Sequence, residues 1–227
     1  EHDVVLKACL NYYRELGFSE LALRPVPTFY RTEPIEDDYY GIYKNGGQID
    51  FCRPTCTIPL HEWGSLTLTK GRKSSRNKAA AAGVQIVRGL DYLNLFWVTL
   101  ENNLRDLHQA SPVHSLVEMK ELLRRFPDSM ELFVALKDSE VLAGALCFIH
   151  KKVIHTQYMS NTTQGRDVSA LDNIIHVAID YAKEQNLAYF DFGTSQGQDG
   201  SIDDALFFYK QSFGAGSFCQ WAFTFKL

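Results

Sequence analysis

Downstream of Pro127 the hydrophobic period of the chain changes, and that change limits the available folds more than any other feature. Three β-rich runs follow it, at residues 131–137, 140–150 and 153–160, separated by tight polar turns of which Asp138-Ser139 is the first. A polar loop, 161–167, then opens a helix whose buried face is traced by Leu171, Ile174, Ile175, Ala178, Ile179 and Ala182. A strand (189–193), a Gly-rich loop (194–201), a helix (203–213) stopped by Gly214 and a last strand (218–225) complete the chain. The order β-β-β-α-β-α-β predicts a mixed α/β sheet built around one strand–loop–helix crossover.

Upstream of Pro127 the pattern is helical. Residues 91–110 place Leu93, Phe96, Trp97, Leu100, Leu104 and Leu107 on one face, which is core spacing. Ser115 and Glu118 form a capping-box pattern that opens the next helix. The run 70–78 (KGRKSSRNK) has five basic residues in nine and leads into four alanines and Gly83, a helix with its C-terminal stop. Residues 3–16 read as an amphipathic helix ended by Gly17. Between Leu21 and Leu68 the β-prone runs are short and broken by prolines, with Glu33, Glu36, Asp37 and Asp38 crowding one loop. The expected division is therefore 1–68, a small subdomain or partial half-domain, and 69–227, a complete domain.

Composition narrows the class. Twenty-three Lys and Arg against 27 Asp and Glu give a formal charge of −4, which disfavours a general nucleic-acid binder and gives no reason to expect DNA. No apolar run approaches the ~20 residues that cross a bilayer, and no basic-then-apolar leader is visible. Five cysteines (Cys9, Cys52, Cys56, Cys147, Cys219), an odd and scattered number, suggest reduced thiols and a cytoplasmic setting. Cys52 and Cys56 lack a second close pair, so no metal is expected.

Two segments invite phosphate. The loop before the helix at about 170 presents unpaired N–H groups, with Gln164, Gly165 and Arg166 supplying donors, backbone access and a cation, and Ser169 following. The alternative is an ordinary capped crossover loop. In the basic run, Arg72 and Arg76 share a helix face, as do Lys73 and Arg76. They would grip a small-molecule acceptor linked to a lipid or nucleotide, or the acceptor end of a transfer RNA, or form a solvated face.

These residues, with Pro112-Val113-His114-Ser115, Arg125-Phe126-Pro127, His155-Thr156-Gln157-Tyr158, Phe190-Asp191-Phe192-Gly193-Thr194-Ser195 and Tyr209-Lys210-Gln211-Ser212-Phe213-Gly214, give the chain a recognisable profile. From about Leu66 to Leu227 it resembles the Fem-type, peptidoglycan-bridge-forming branch of the bacterial GNAT acyltransferase superfamily. The resemblance implies an α/β (α+β) fold: a mixed, mostly antiparallel GNAT-like sheet flanked by helices, with an N-terminal partial second GNAT-like half. It also implies direct N-acyl transfer between splayed central strands, with acetyl-CoA or another acyl-CoA as donor substrate and an envelope precursor as acceptor. An aminoacyl-transfer-RNA donor and a catalytically silent binding module are the alternatives; the negative charge favours the smaller donor.

Residue by residue, Lys210 matches the lysine of the family's Phe-Lys segment, with Tyr209 in place of the phenylalanine; it would stabilise developing charge, hold a phosphate or be a solvated helix lysine. Asp191 would be a base, an orienting group or a structural hydrogen-bonding group. His155 and Tyr158 would relay a proton or serve packing. Ser195 and Tyr209 are expected on the acceptor side.

Overall fold

A computed structural model describes residues 2–33, 35–60, 68–196 and 200–227. Its elements are α1 (His2–Glu15), β1 (Glu20–Leu23), α2 (Asp37–Lys44), β2 (Gln48–Pro59), α3 (Lys70–Ala81), β3 (Gln85–Arg88) and α4 (Leu93–His108). These are followed by α5 (Leu116–Arg125), β4 (Met130–Lys137), β5 (Glu140–His150), β6 (Val153–Asn161), α6 (Thr163–Asp167) and α7 (Ala170–Glu184). Strand β7 (Tyr189–Thr194), α8 (Asp204–Gln211) and β8 (Gly216–Lys226) end the chain. Residues 61–67, part of the expected β-prone stretch, and 197–199, part of the expected Gly-rich loop, lie outside the described residues.

The chain divides into two compact units, Glu1–Thr55 with Ser217–Leu227, and Cys56–Gly216. In the first, the strand order is β1–β8–β2, with β1 and β8 antiparallel and Leu21 opposite Phe225. Leu10, Ile42, Phe223 and Phe225 form its core. The acidic stretch expected as loop is instead the start of α2. Asp37 and Asp38 occupy its first turn, where carboxylates suit the positive end of the helix dipole.

In the second unit the order is β2–β7–β6–β5–β4–β3. Strands β3 to β6 pair antiparallel, and β6 pairs parallel with β7. Side chains on β4 alternate between two cores. Phe133 and Ala135 join a cluster with Ala79 of α3 and Ile174 and Ile175 of α7. Leu132 and Val134 join Phe96, Trp97 and Leu100 of α4 and Met119 of α5. Both faces are thus covered, which is why β4 and β5 read as nearly continuous hydrophobic sequence. The capping box forms as expected: Ser115 Oγ accepts from Glu118 N (3.2 Å), and Glu118 Oε2 accepts from Ser115 N (2.7 Å). No described helix is long and apolar enough to cross a membrane.

Two details shape β6. Leu146 faces Tyr158 and Cys147 faces Thr156, so Gln157 is an extra residue, a bulge. The bulge resets alternation: Tyr158 joins the α4-side core, as its sequence distance from Ile154 in the α7-side core would otherwise forbid. On β5, Gly144 lies under Phe96, where an added Cβ would sit 2.2 Å from the ring. Gly144→Ala should therefore cost about 1–3 kcal/mol through overpacking. Gly71→Ala, in open space on α3, should add up to about 1 kcal/mol through helix propensity. Denaturant titration of both variants checks the pair.

Candidate active site

The parallel ladder between β6 and β7 is three residue pairs long and ends at His155 opposite Asp191. Beyond it, at Thr156 and Phe192, the two strands share no further pairs among the described residues. Phe190 and Phe192 turn into the α7-side core, so Asp191 between them turns to the other face. Its carboxylate is buried and held from three directions. Thr57 Oγ1 on β2 donates to Oδ1 (2.9 Å), the Gly193 amide donates to Oδ1 (2.9 Å), and His155 Nδ1 lies 2.9 Å from Oδ2. A carboxylate only accepts, so Nδ1 carries a proton, and in the neutral imidazole the lone pair is on Nε2. His155 keeps 27% of its side chain exposed, against 4% for Asp191. A fixed acid–imidazole pair on a partly exposed side chain is the arrangement a proton acceptor needs.

Gly193 makes the pair fit. Its φ of +71° is open to glycine, and a Cβ there would come within 3.0 Å of His155 Cε1. The same kink turns two consecutive carbonyls toward one cation. Lys210 Nζ on α8 donates to Gly193 O (3.3 Å) and Thr194 O (2.6 Å). Lys210 is only 2% exposed. Burial pulls its ammonium below the usual lysine range, partly offset by Cys56, Asp191 and Asp203. Ser195 is also buried, with its Oγ 3.7 Å from Cys56 Sγ; burial pushes that thiol up. Thr156 Oγ1, at the first residue past the ladder, is buried and has no hydrogen-bond partner among the described residues.

Tyr158 lies on the α4 side. Its Oη accepts from the His114 amide (3.1 Å) and lies 2.8 Å from His114 Nδ1, while its ring meets Trp97 edge-on at 5.4 Å. His114 belongs to a quoted sequence piece but carried no expected role of its own.

The loop expected to hold phosphate contains the short helix α6. Thr162 Oγ1 caps it by accepting from Gly165 N (3.0 Å), so that amide is engaged. Gly165 is packed against Leu142 O and Asn161 Oδ1, at 2.4 and 2.2 Å from a virtual Cβ. Arg166 donates to Asn161 O (3.1 Å) and Asn103 Oδ1 (3.3 Å). It lines a cavity of about 260 Å³ with Thr99, Asn102, Asn103, Thr162 and Thr163. Gln164 is exposed on α6, and Ser169 precedes α7 with a φ of +58°.

One arginine of the basic run is spent inside the protein, while Lys70, Arg76 and Lys78 are exposed. Arg72 on α3 forms an ion pair with Asp172 Oδ2, donates from Nε to Ser212 Oγ (2.7 Å), and stacks over Tyr209 at 4.4 Å and Phe213 at 4.9 Å. Tyr209 Oη donates to Asp172 Oδ1 (2.9 Å), and burial, then the Asp172 charge, drives its phenol well above the ordinary value. His176 Nε2 donates to Arg72 O (2.9 Å). Arg76 makes an exposed pair with Asp180 at 2.9 Å. The Lys73 side chain lies outside the described residues. The geometry therefore joins His155, Asp191, Lys210 and Ser195 around the end of β7. It sets Arg72 and Tyr209 in a separate internal brace and Tyr158 on the α4 side. Thr57, Gly193, His114 and Asp172 are additions that no sequence spacing announced. Among the described residues, no group of three His, Cys, Asp or Glu side chains is placed to hold a metal ion.

Residues 69–211 match the family described as "Acetyltransferase (GNAT) domain". The chain belongs to this family. Among solved structures it is similar to FemX, with a TM-score of 0.74 and 13% identity over 99% of this chain and 77% of that one. It is similar also to the C-terminal DUF2156 domain, named for lysylphosphatidylglycerol synthetase, from Agrobacterium fabrum (TM-score 0.71, 13% identity, 98% and 72% covered). L-PGS from Bacillus licheniformis gives 0.68 at 11% identity, with 97% and 72% covered. Likeness at these identities is likeness of fold. No curated protein matches the sequence.

The brace generates two predictions. Asp172→Asn leaves the half-buried Arg72 guanidinium without its carboxylate and should cost about 1–3 kcal/mol in denaturant unfolding. Burial holds His176 below the ordinary histidine value, against the pull of its bond to the Arg72 carbonyl. The unfolded chain then binds this proton first as pH falls, so stability is present above the ordinary histidine range and lost on descending through it. His176→Gln should flatten the stability–pH curve between about pH 7 and 5 relative to the parent chain, read as denaturation midpoints.

Proposed function

We propose that this chain is an N-acyltransferase that moves an acyl group from a coenzyme A thioester to a primary amine where β6 and β7 part. The observation that bears this reading is the His155–Asp191 pair at the last rung of the ladder, with the second imidazole nitrogen left to the end of that ladder. Beyond that rung no β6–β7 pair continues among the described residues, and the buried Thr156 hydroxyl adds a polar atom without a partner among them. Such an opening suits the extended, amide-bearing arm of an acyl-CoA. The Arg166 cavity, with its threonine and asparagine side chains, suits the phosphates.

In this reading His155 Nε2 accepts the proton the amine loses as its nitrogen bonds to the thioester carbon, and the C–S bond then breaks to release a thiolate. Asp191 keeps the imidazole in the right tautomer and stabilises the imidazolium. Thr57 and the Gly193 amide keep the carboxylate aimed. Lys210 is a positioning residue: its ammonium holds the Gly193 and Thr194 carbonyls and with them the kink on which His155 rests. The acceptor is a small amine, with an amino sugar or amino acid of an envelope precursor as the favoured class.

A second reading, transfer from an aminoacyl-transfer RNA, draws support from the engaged Gly165 amide, which removes one donor from the phosphate loop. Both donors use the same proton acceptor, so one experiment tests the site and separates them. His155→Ala and Asp191→Asn, each verified as folded, should lower kcat/KM by about 10²–10⁴-fold with the working donor. Turnover of acetyl-CoA with simple amines supports the first reading. Turnover only with charged transfer RNA supports the second, and undiminished activity in both variants removes the proposed base.

A further inference from the structure

Of the eleven arginines in the chain, nine find a carboxylate, an amide side chain or a backbone carbonyl for the guanidinium. The other two are Arg24 and Arg53. Among the described residues neither makes an ion pair or a side-chain hydrogen bond, and both stack on the same ring. The Arg24 guanidinium carbon lies 5.4 Å from the centre of the Phe51 ring, and that of Arg53 lies 4.4 Å from it. Arg72 also stacks on aromatic rings, but it does so with Asp172 as its counter-charge. Arg24 and Arg53 bring two positive charges to one ring and no carboxylate with them.

The first unit holds all three residues. Phe51 and Arg53 are alternate residues of β2 and so share a face of the strand. Leu21 and Leu23 of β1 pack on the core of Leu10 and Ile42, so alternation sends Arg24, the next residue, to the opposite face. Strand β8 lies between β1 and β2, and the long Arg24 side chain spans it to reach Phe51. Arg24 is exposed, whereas Phe51 and Arg53 are half-buried, so the ring is a fixed platform open to solvent on the Arg24 side.

We propose that Arg24 and Arg53, seated on Phe51, form a binding site for a ligand that presents a doubly charged phosphate or pyrophosphate. Two like charges gathered on one ring repel each other, and an anion between them reverses that cost. A carboxylate neutralises only one of them. A doubly ionised phosphate neutralises both, and its oxygens can accept from two planar forks at once. Neither guanidinium is more than 5.4 Å from the ring centre, so a pyrophosphate, with acceptor oxygens at each end, reaches both. Stacking holds the two forks in place before the ligand arrives, which lowers the ordering cost of binding. The site neither uses nor requires the His155–Asp191 pair.

The test is calorimetric titration of the whole chain with inorganic pyrophosphate at low ionic strength, while NMR follows the arginine Nε–H signals. Saturable binding should shift the Arg24 and Arg53 signals, exceed the response to acetate and weaken as potassium chloride is added. Arg24→Gln and Arg53→Gln should each weaken the affinity about tenfold. Phe51→Leu keeps both charges and should weaken it as well, because the platform is lost. Arg166→Ala, in the cavity proposed for the donor phosphates, should leave the Arg24 and Arg53 shifts in place. Vesicles of phosphatidylcholine with phosphatidic acid identify the source of the phosphate. Capture that needs both arginines places it on a lipid headgroup, and pyrophosphate binding without capture places it on a soluble ligand; either supports the site. No saturation, shifts confined to Arg166, or an affinity indifferent to both glutamine substitutions would overturn the proposal.

Discussion

One buried carboxylate decides where β6 and β7 stop being neighbours. Asp191 accepts from Thr57, from the Gly193 amide and from His155, three groups on different stretches of backbone. A carboxylate away from water must be matched by donors, and these three supply the match at the last rung of a very short parallel ladder. The Gly193 amide cannot serve the carboxylate and continue a regular strand at once. Its φ of +71° resolves the conflict by ending the strand geometry, which sends the next two carbonyls to Lys210. In a regular strand successive carbonyls point opposite ways, so one ammonium could not reach both. The end of the β6–β7 ladder is therefore built by satisfied hydrogen bonds rather than left over from poor packing.

Charge on α3 illustrates how the same residue types end up in different work. The run 70–78 looks, in one dimension, like a cationic face. In three dimensions Arg72 spans α3, α7 and α8 through Asp172, Ser212 and the faces of Tyr209 and Phe213. Guanidinium suits that position because its planar fork can meet a carboxylate while its face lies on aromatic rings, which a lysine ammonium could not reproduce. The brace also fixes α8, and with it Lys210, one residue after Tyr209.

The parts of the fold legible in the sequence are those where burial imposes a period. The three β-runs after Pro127, the helix with Ile174 and Ile175 inward and the capped α5 all follow from patterns within a dozen residues. Helix α2 was hidden because eight residues give barely two turns of period and its acidic start imitates a loop. Strand β8 pairs with β1 in the first unit, a contact of long sequence separation that no local pattern encodes. The site shows the same limit. Asp191 reads as a carboxylate inside an aromatic strand, and His155 as part of the His155-Thr156-Gln157-Tyr158 piece of the family resemblance. Thr57, which aims the carboxylate, is one hydroxyl in a β-rich run and looks like any other. The bulge at Gln157, which turns Tyr158 toward α4, is likewise invisible until the partner strand is known.

The two candidate tasks of Lys210 make different demands on its surroundings. An ammonium that stabilises charge developing on a substrate should have donors to spare and a path to the reacting carbonyl. Lys210 instead places at least two of its three donors on backbone carbonyls, under cover that depresses its pKa by burial. Burying an amine in this way is unfavourable unless its bonds secure something else. What they secure is the turn at Gly193, whose missing side chain lets the His155 ring close on Asp191. Under the proposed function the lysine would act on the chemistry through the backbone. Its removal should disturb the geometry of the imidazole before it disturbs the charge at the reacting centre.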